Sequence, residues 1–133
     1  MSFKPIYADN RLYSMLYKNK LQYNVIPIGS WHAFGEGRDI DYVLWNMSPV
    51  ENIHDSVAAL MDLGFEITTE GGYEIDEDEF VCMRKDDINL MVTHDQEFAE
   101  NSALAFRIVQ ALDLREKADR IKVHRIIVDG KDA

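Results

Sequence analysis

Apolar and polar residues follow two periods along this chain. From Arg11 to about Gln22, Leu12, Met15 and Leu16 recur at helical spacing and Tyr23 continues the stripe. That spacing predicts a helix, with a cap offered by Ala8-Asp9-Asn10. Residues 1–7 show no period and read as an arm. Val25-Ile26-Pro27-Ile28 is a short apolar strand, and Pro27, which has no N–H, places it at a sheet edge or a non-bonded position. Gly29-Ser30 then reads as a turn, and Trp31 to Arg38, with Gly35 and Gly37, as a loop. From Asp39 to about Asn46 the period changes to two. Ile40, Tyr42 and Leu44 alternate with Asp39, Asp41, Val43 and Trp45, so a strand presents two unlike faces.

Further on, Ser48-Pro49-Val50-Glu51 supplies a cap, a first-turn proline and a capping-box acid. Ile53, Val57, Leu60 and Met61 continue as a helix, and Gly64 ends it. Phe65 to Thr68 predicts a short strand. Residues 70–79 are turn-rich and acidic. Phe80 to Lys85 and Ile88 to Thr93 predict two strands joined by a tight turn at Asp86-Asp87. Asp95 caps a long helix to about Leu112, with Phe98, Ala105, Ile108, Val109 and Leu112 as its apolar face. A last helix runs from about Glu116 to Val128 and ends at Gly130. The order of elements is not a strict strand–helix alternation. It predicts an α+β fold with a mixed sheet packed against helices. With no repeat, linker or low-complexity segment, residues 1–133 read as a single domain.

Composition narrows the function classes. The chain has 133 residues, 47% of them hydrophobic, which suits one packed core and excludes a disordered chain. No apolar run approaches the ~18–20 residues that span a bilayer, and no signal-peptide layout opens the chain, so the cytoplasm is the expected compartment. Cys82 is the sole cysteine, which excludes an intrachain disulfide and a thiolate zinc cluster. The net charge of −10 argues against a broad, nonspecific grip on nucleic acid. It is compatible with an acidic metal site, a basic protein partner or plain solubility.

The candidate chemistry lies between Val25 and Trp45. Asp39 and Asp41 share a parity on one strand, roughly 7 Å apart, and two such carboxylates can share Mg²⁺ or Mn²⁺. The Gly29-Ser30 turn just upstream exposes N–H groups that can hold phosphate oxygens. Metal with phosphate points to nucleotide chemistry.

Ile28-Gly29-Ser30 followed by Asp39-Ile40-Asp41-Tyr42 resembles the signature of the nucleotidyltransferase superfamily, whose catalytic domain is polymerase-β-like. The later strand Asp87 to Val92 stands where that superfamily carries a third acid, and Asn89 holds the position here. Ile88 to Asp95, with Asp119-Arg120-Ile121, is also similar to small nucleotidyltransferase-like proteins of tailed bacteriophages, in which Asn commonly stands at that place. The resemblance implies a minimal nucleotidyltransferase fold and transfer of a nucleoside monophosphate from a nucleoside triphosphate to an RNA, protein or small-molecule hydroxyl. In that reading Asp39 and Asp41 bind the metals and Gly29 and Ser30 the β/γ-phosphates. Asn89 is a poor base, so the departure falls on catalysis more than on binding. Asp87, two residues away, is a weak substitute. A phage-encoded chain would act in the host cytoplasm.

Each feature also has a plainer reading. Gly29-Ser30 could be only a turn, and Asp39 and Asp41 solvated strand charges. Arg38 could pair with either aspartate or contact a phosphate. His32, in the glycine loop, could touch a ligand, but the preferred reading is an exposed loop histidine. His54, His94 and His124 lack metal-ligand spacing and receive no role. Arg115, Lys117, Arg120, Lys122, Arg125 and Lys131 form either a solvent face laced with ion pairs, the preferred reading, or a phosphate patch. Trp31 and Phe34 are either core or a stacking platform. Two other functions stay open. One is an inactive nucleotidyltransferase-like protein that works by binding a partner, for example a host protein. The other is an acidic nucleic-acid mimic using Glu74 to Glu79.

Overall fold

The structure, a computed structural model, describes residues 9–46, 53–68 and 80–128. The arm at 1–7, the capping box Ser48 to Glu51, the acidic stretch 70–79 and the stop at Gly130 lie outside the described residues.

Among the described residues, five helices and one five-stranded mixed sheet make an α+β fold, as the element order predicts. The elements are α1 (Arg11–Lys18), β1 (Tyr23–Ile28), α2 (Gly29–Phe34), β2 (Ile40–Asn46), α3 (Ile53–Asp62), β3 (Glu66–Ile67), β4 (Val81–Lys85), β5 (Ile88–Thr93), α4 (Gln96–Ala111) and α5 (Lys117–Ile127). The strands lie in the order β1-β2-β5-β4-β3. β2 and β5 run parallel, and every other neighbouring pair is antiparallel. Among the described strands β1 is therefore at an edge, and Pro27 sits on it opposite Tyr42.

The alternation in β2 sorts the two faces. Ile40, Tyr42 and Leu44 join Ile88, Leu90 and Val92 of β5 and Val81 and Met83 of β4 against Leu12 and Leu16 of α1 and Val57 and Leu60 of α3. Val43 faces the other way and packs with Phe80, Cys82, Phe98 and Ala99. Asp41 has the parity of Val43. It therefore looks onto the face that α4 covers in part, where α4 and α5 form the second layer.

Three helices end in the same way. After α1, Lys20 takes a left-handed φ of +58°, its N–H bonds Tyr17 O, and Leu21 N–H bonds Leu16 O. Gly64 and Phe65 do this after α3, with Met61 O and Leu60 O. Asp113 and Leu114 do it after α4, with Gln110 O and Val109 O. In each case the closing residue and its partner are both apolar, the pairing that favours this stop. The Lys20 stop makes α1 shorter than the expected run to Gln22.

The largest departure is at Gly29-Ser30. Instead of a turn and a loop, residues 29–34 form the short helix α2, ended by Gly35 at φ +72°. β1 starts earlier than expected, at Tyr23, and β2 later, at Ile40. The buried face of α4 is Phe98, Ala99, Ser102, Ala105, Phe106 and Val109. Leu112, expected on it, is 64% exposed because it lies beyond the last helical residue. Met61 of α3 is likewise exposed. No helix among the described residues is long and apolar enough to cross a membrane.

Candidate functional site

The carboxylates meet at a cleft of about 450 Å³ between the open part of the sheet and the α4–α5 pair. Parallel pairing of β2 with β5 sets Asp41 directly opposite Asn89, and antiparallel pairing of β1 with β2 sets it opposite Ile28. Asn89 Nδ2 donates to Asp41 Oδ1 at 3.1 Å. Gly29, at φ +83°, follows at once, and a Cβ there would stand 2.4 Å from Asp41 Oδ2. Only glycine lets the chain pass this close to the carboxylate. Burial raises the Asp41 pKa, opposed by the Asn89 hydrogen bond and by the charges of Arg84 and Arg120.

Asp39 lies one residue before β2 and lines the same cleft. Its partner is Arg84 on β4, at 3.0 Å from Nη2 to Oδ1. Arg38, expected as a partner of these acids or a phosphate contact, is exposed and lines the cleft rim. Arg84 was recoverable from the sequence. Counting back from the Asp86-Asp87 turn pairs Lys85 with Ile88 and Arg84 with Asn89, which is the register found.

The other expectations resolve individually. Ser30 Oγ donates to Glu36 O at 2.9 Å and ties the loop after α2. His32 is no exposed loop residue. It is 2% exposed, its Nδ1 meets Ile28 O at 2.8 Å, and its ring contacts Tyr42. The reason is α2, which winds the segment inward where a loop would have left it in solvent. Burial lowers the His32 pKa despite the Ile28 carbonyl. Trp31 packs against the core formed with α1 and α3, and Phe34 lies under the Arg115 guanidinium. Asp87 does not replace the missing acid, because it pairs with Arg11 at 2.8 Å. His94 bonds Ser56 Oγ, and His124, given no role from sequence, lines the cleft.

The C-terminal basic region divides. Arg115 makes ion pairs with Glu36 and Asp113, as the solvent-face reading has it. Lys117 and Arg120 line the cleft with the acids. Arg120 Nη1 also donates to Arg115 O, which ties its guanidinium to the segment just before α5.

The donor set is two carboxylates and an amide. Among the described residues no group of three or more His, Cys, Asp or Glu side chains is placed to hold a metal ion. Mg²⁺, however, is held through one or two carboxylates when substrate phosphates complete its shell. Asp39 and Asp41 match that lesser requirement. The Arg84–Asp39 pair does not close the site, since both side chains are about two-fifths exposed. Such a pair contributes only ~0–1 kcal/mol, and a cation beside Asp41 would offset the burial of its charge. The residues present therefore fit a divalent cation that arrives with a phosphate ligand.

No protein-family model and no curated protein matches the chain.

Proposed function

We propose that the cleft binds a nucleoside triphosphate with Mg²⁺ or Mn²⁺ and transfers the nucleoside monophosphate to a hydroxyl of an RNA, a protein or a small molecule. One observation carries this reading: Asp41 sits against Gly29 on one side and Asn89 on the other, with Asp39 on the same cleft. Asp39 and Asp41 would hold the cation. Bound there, it would neutralise triphosphate charge and acidify the attacking hydroxyl. Arg38, Lys117 and Arg120 bring positive charge to the cleft, and Arg84 can exchange Asp39 for a phosphate oxygen. In the transfer, a bond forms from the acceptor oxygen to the α-phosphorus and the bond to pyrophosphate breaks. The acceptor proton leaves to a carboxylate or to water.

Asn89 supports a second reading. It orients Asp41 through its amide but accepts no proton. A nucleotide-binding protein without turnover, acting on a protein partner, would use the cleft in this form.

Calorimetry with ATP, GTP, CTP and UTP, with and without Mn²⁺, tests the first reading. Binding of at least one nucleotide, strengthened by Mn²⁺ and weakened at least tenfold by Asp41→Asn, is expected. No heat with any of the four overturns it. Transferase activity that appears only in Asn89→Asp favours the second reading, and turnover by the unmodified protein removes it.

A further inference from the structure

The cleft changes character along the sheet. Arg84 and Asn89 face each other near the carboxylates. Two residues along, roughly 7 Å, Cys82 and Met91 face each other in the same way. The cleft lining also holds a set of apolar residues, Cys82 and Met91 from the sheet, Ala105, Phe106 and Val109 from α4, and Ile121 from α5, alongside His124 of α5. Burial, together with the Asp41 charge, pushes the Cys82 thiol pKa up, so the thiol stays neutral. Ser102 of α4 lines the cleft as well. It is 2% exposed, and its Oγ has no hydrogen-bond partner among the described residues. A buried hydroxyl without a partner is unfavourable. Set in an apolar wall, it is the kind of single polar group that fixes the orientation of a small ligand.

We propose that this recess receives the nucleobase of the bound nucleotide and that Ser102 hydrogen-bonds the base edge. The inference rests on the nucleotide reading of the cleft. A nucleotide has the same gradient as the lining: charged phosphates at one end, and at the other a planar ring with apolar faces and a polar rim. Phe106 gives the ring an aromatic neighbour. The ~450 Å³ volume lies within the range of small-ligand sites. A bare phosphate chain would satisfy the cationic end and leave Ser102 unpaired.

The test compares the four nucleoside triphosphates and inorganic tripolyphosphate, each with Mn²⁺, and the four nucleosides without metal. Each is titrated into wild type, Ser102→Ala and Ser102→Val. Ser102→Ala should melt no lower than wild type, because it removes an unpaired buried hydroxyl. Its affinity for the preferred nucleotide should fall about fivefold, the worth of one neutral hydrogen bond, with tripolyphosphate unaffected. Ser102→Val, which narrows the recess, should lose nucleotide binding and spare tripolyphosphate. Equal binding of nucleotides and tripolyphosphate, or a Ser102→Ala loss that tripolyphosphate shares, overturns the base recess and leaves the phosphate-and-metal reading standing. Nucleoside binding that Ser102→Ala weakens, with nothing added by triphosphate or Mn²⁺, keeps the recess and overturns the transferase reading. No binding by any of the three ligand classes overturns both.

Discussion

Asp41 is the residue on which the electrostatics of the cleft turn. Its carboxyl is buried enough that desolvation outweighs the Asn89 amide and two nearby arginines, and its pKa is raised. Between the unfolded value of ~4 and the folded value, the native state holds the proton more tightly than the unfolded chain does. Stability from this group therefore falls as pH rises through that window and stays lowered above it. Asp41→Asn removes the effect. The variant should be more stable than wild type at pH 7, with the difference shrinking as pH falls through that window and gone below ~4. Thermal melts of both proteins from acid to neutral pH would show it. His32 and His94, whose pKa values are lowered by burial, act in the opposite direction and destabilise the fold as pH falls below ~6.5. They are common to both proteins and drop out of the comparison. A variant that gains stability while losing nucleotide binding is the signature of a residue kept for function.

At the scale of elements, the helix stops make a prediction of opposite signs. Gly64 adopts its left-handed conformation without strain, whereas Lys20 and Asp113 hold the same region with a Cβ. That conformation costs a non-glycine residue about 1 kcal/mol or slightly more. Lys20→Gly should therefore raise stability by up to about 1 kcal/mol, and Gly64→Ala should lower it by a similar amount. Urea unfolding of both variants measures the pair. These stops also show how much of an element is legible locally. Gly64 announced its stop, because glycine is the common residue there. Lys20 did not, and the sequence stripe ran on toward Tyr23. α2 was missed for a related reason: six residues opened by Gly-Ser carry too few periodic positions to be told from a loop.

For the whole molecule, the net charge of −10 sets the background against which the cleft is read. Repulsion among acids destabilises the compact state, and salt screens it over a Debye length of ~10 Å at 0.1 M. Raising NaCl from about 10 to about 150 mM should lift the melting midpoint by a few degrees, on the order of 1 kcal/mol. The cleft gathers Arg38, Arg84, Lys117 and Arg120, a cationic rim in an acidic protein. Triphosphate binding should weaken over the same salt range. Stability and affinity moving in opposite directions with salt, read by melting and titration in matched buffers, would separate the global field from the local one.

The sequence by itself determined what depends on period and on single residues. The alternation around Asp39 and Asp41 set which face they share, the Asp86-Asp87 turn set the β4–β5 register, and Asp95 set the start of α4 through bonds to Glu97 N and Phe98 N. Tertiary structure alone decided what depends on partners distant in the chain. Asn89 touches Asp41 across 48 residues because β5 inserts beside β2 in parallel. Arg84 reaches Asp39 only because the β4–β5 hairpin docks beside β2 through β5. His32 is buried because α2 winds inward, and Ser102 faces the cleft because α4 lies over the open sheet. Local propensity carries no term for which strand pairs with which, or for what packs above a polar side chain, and the candidate site is assembled from those choices.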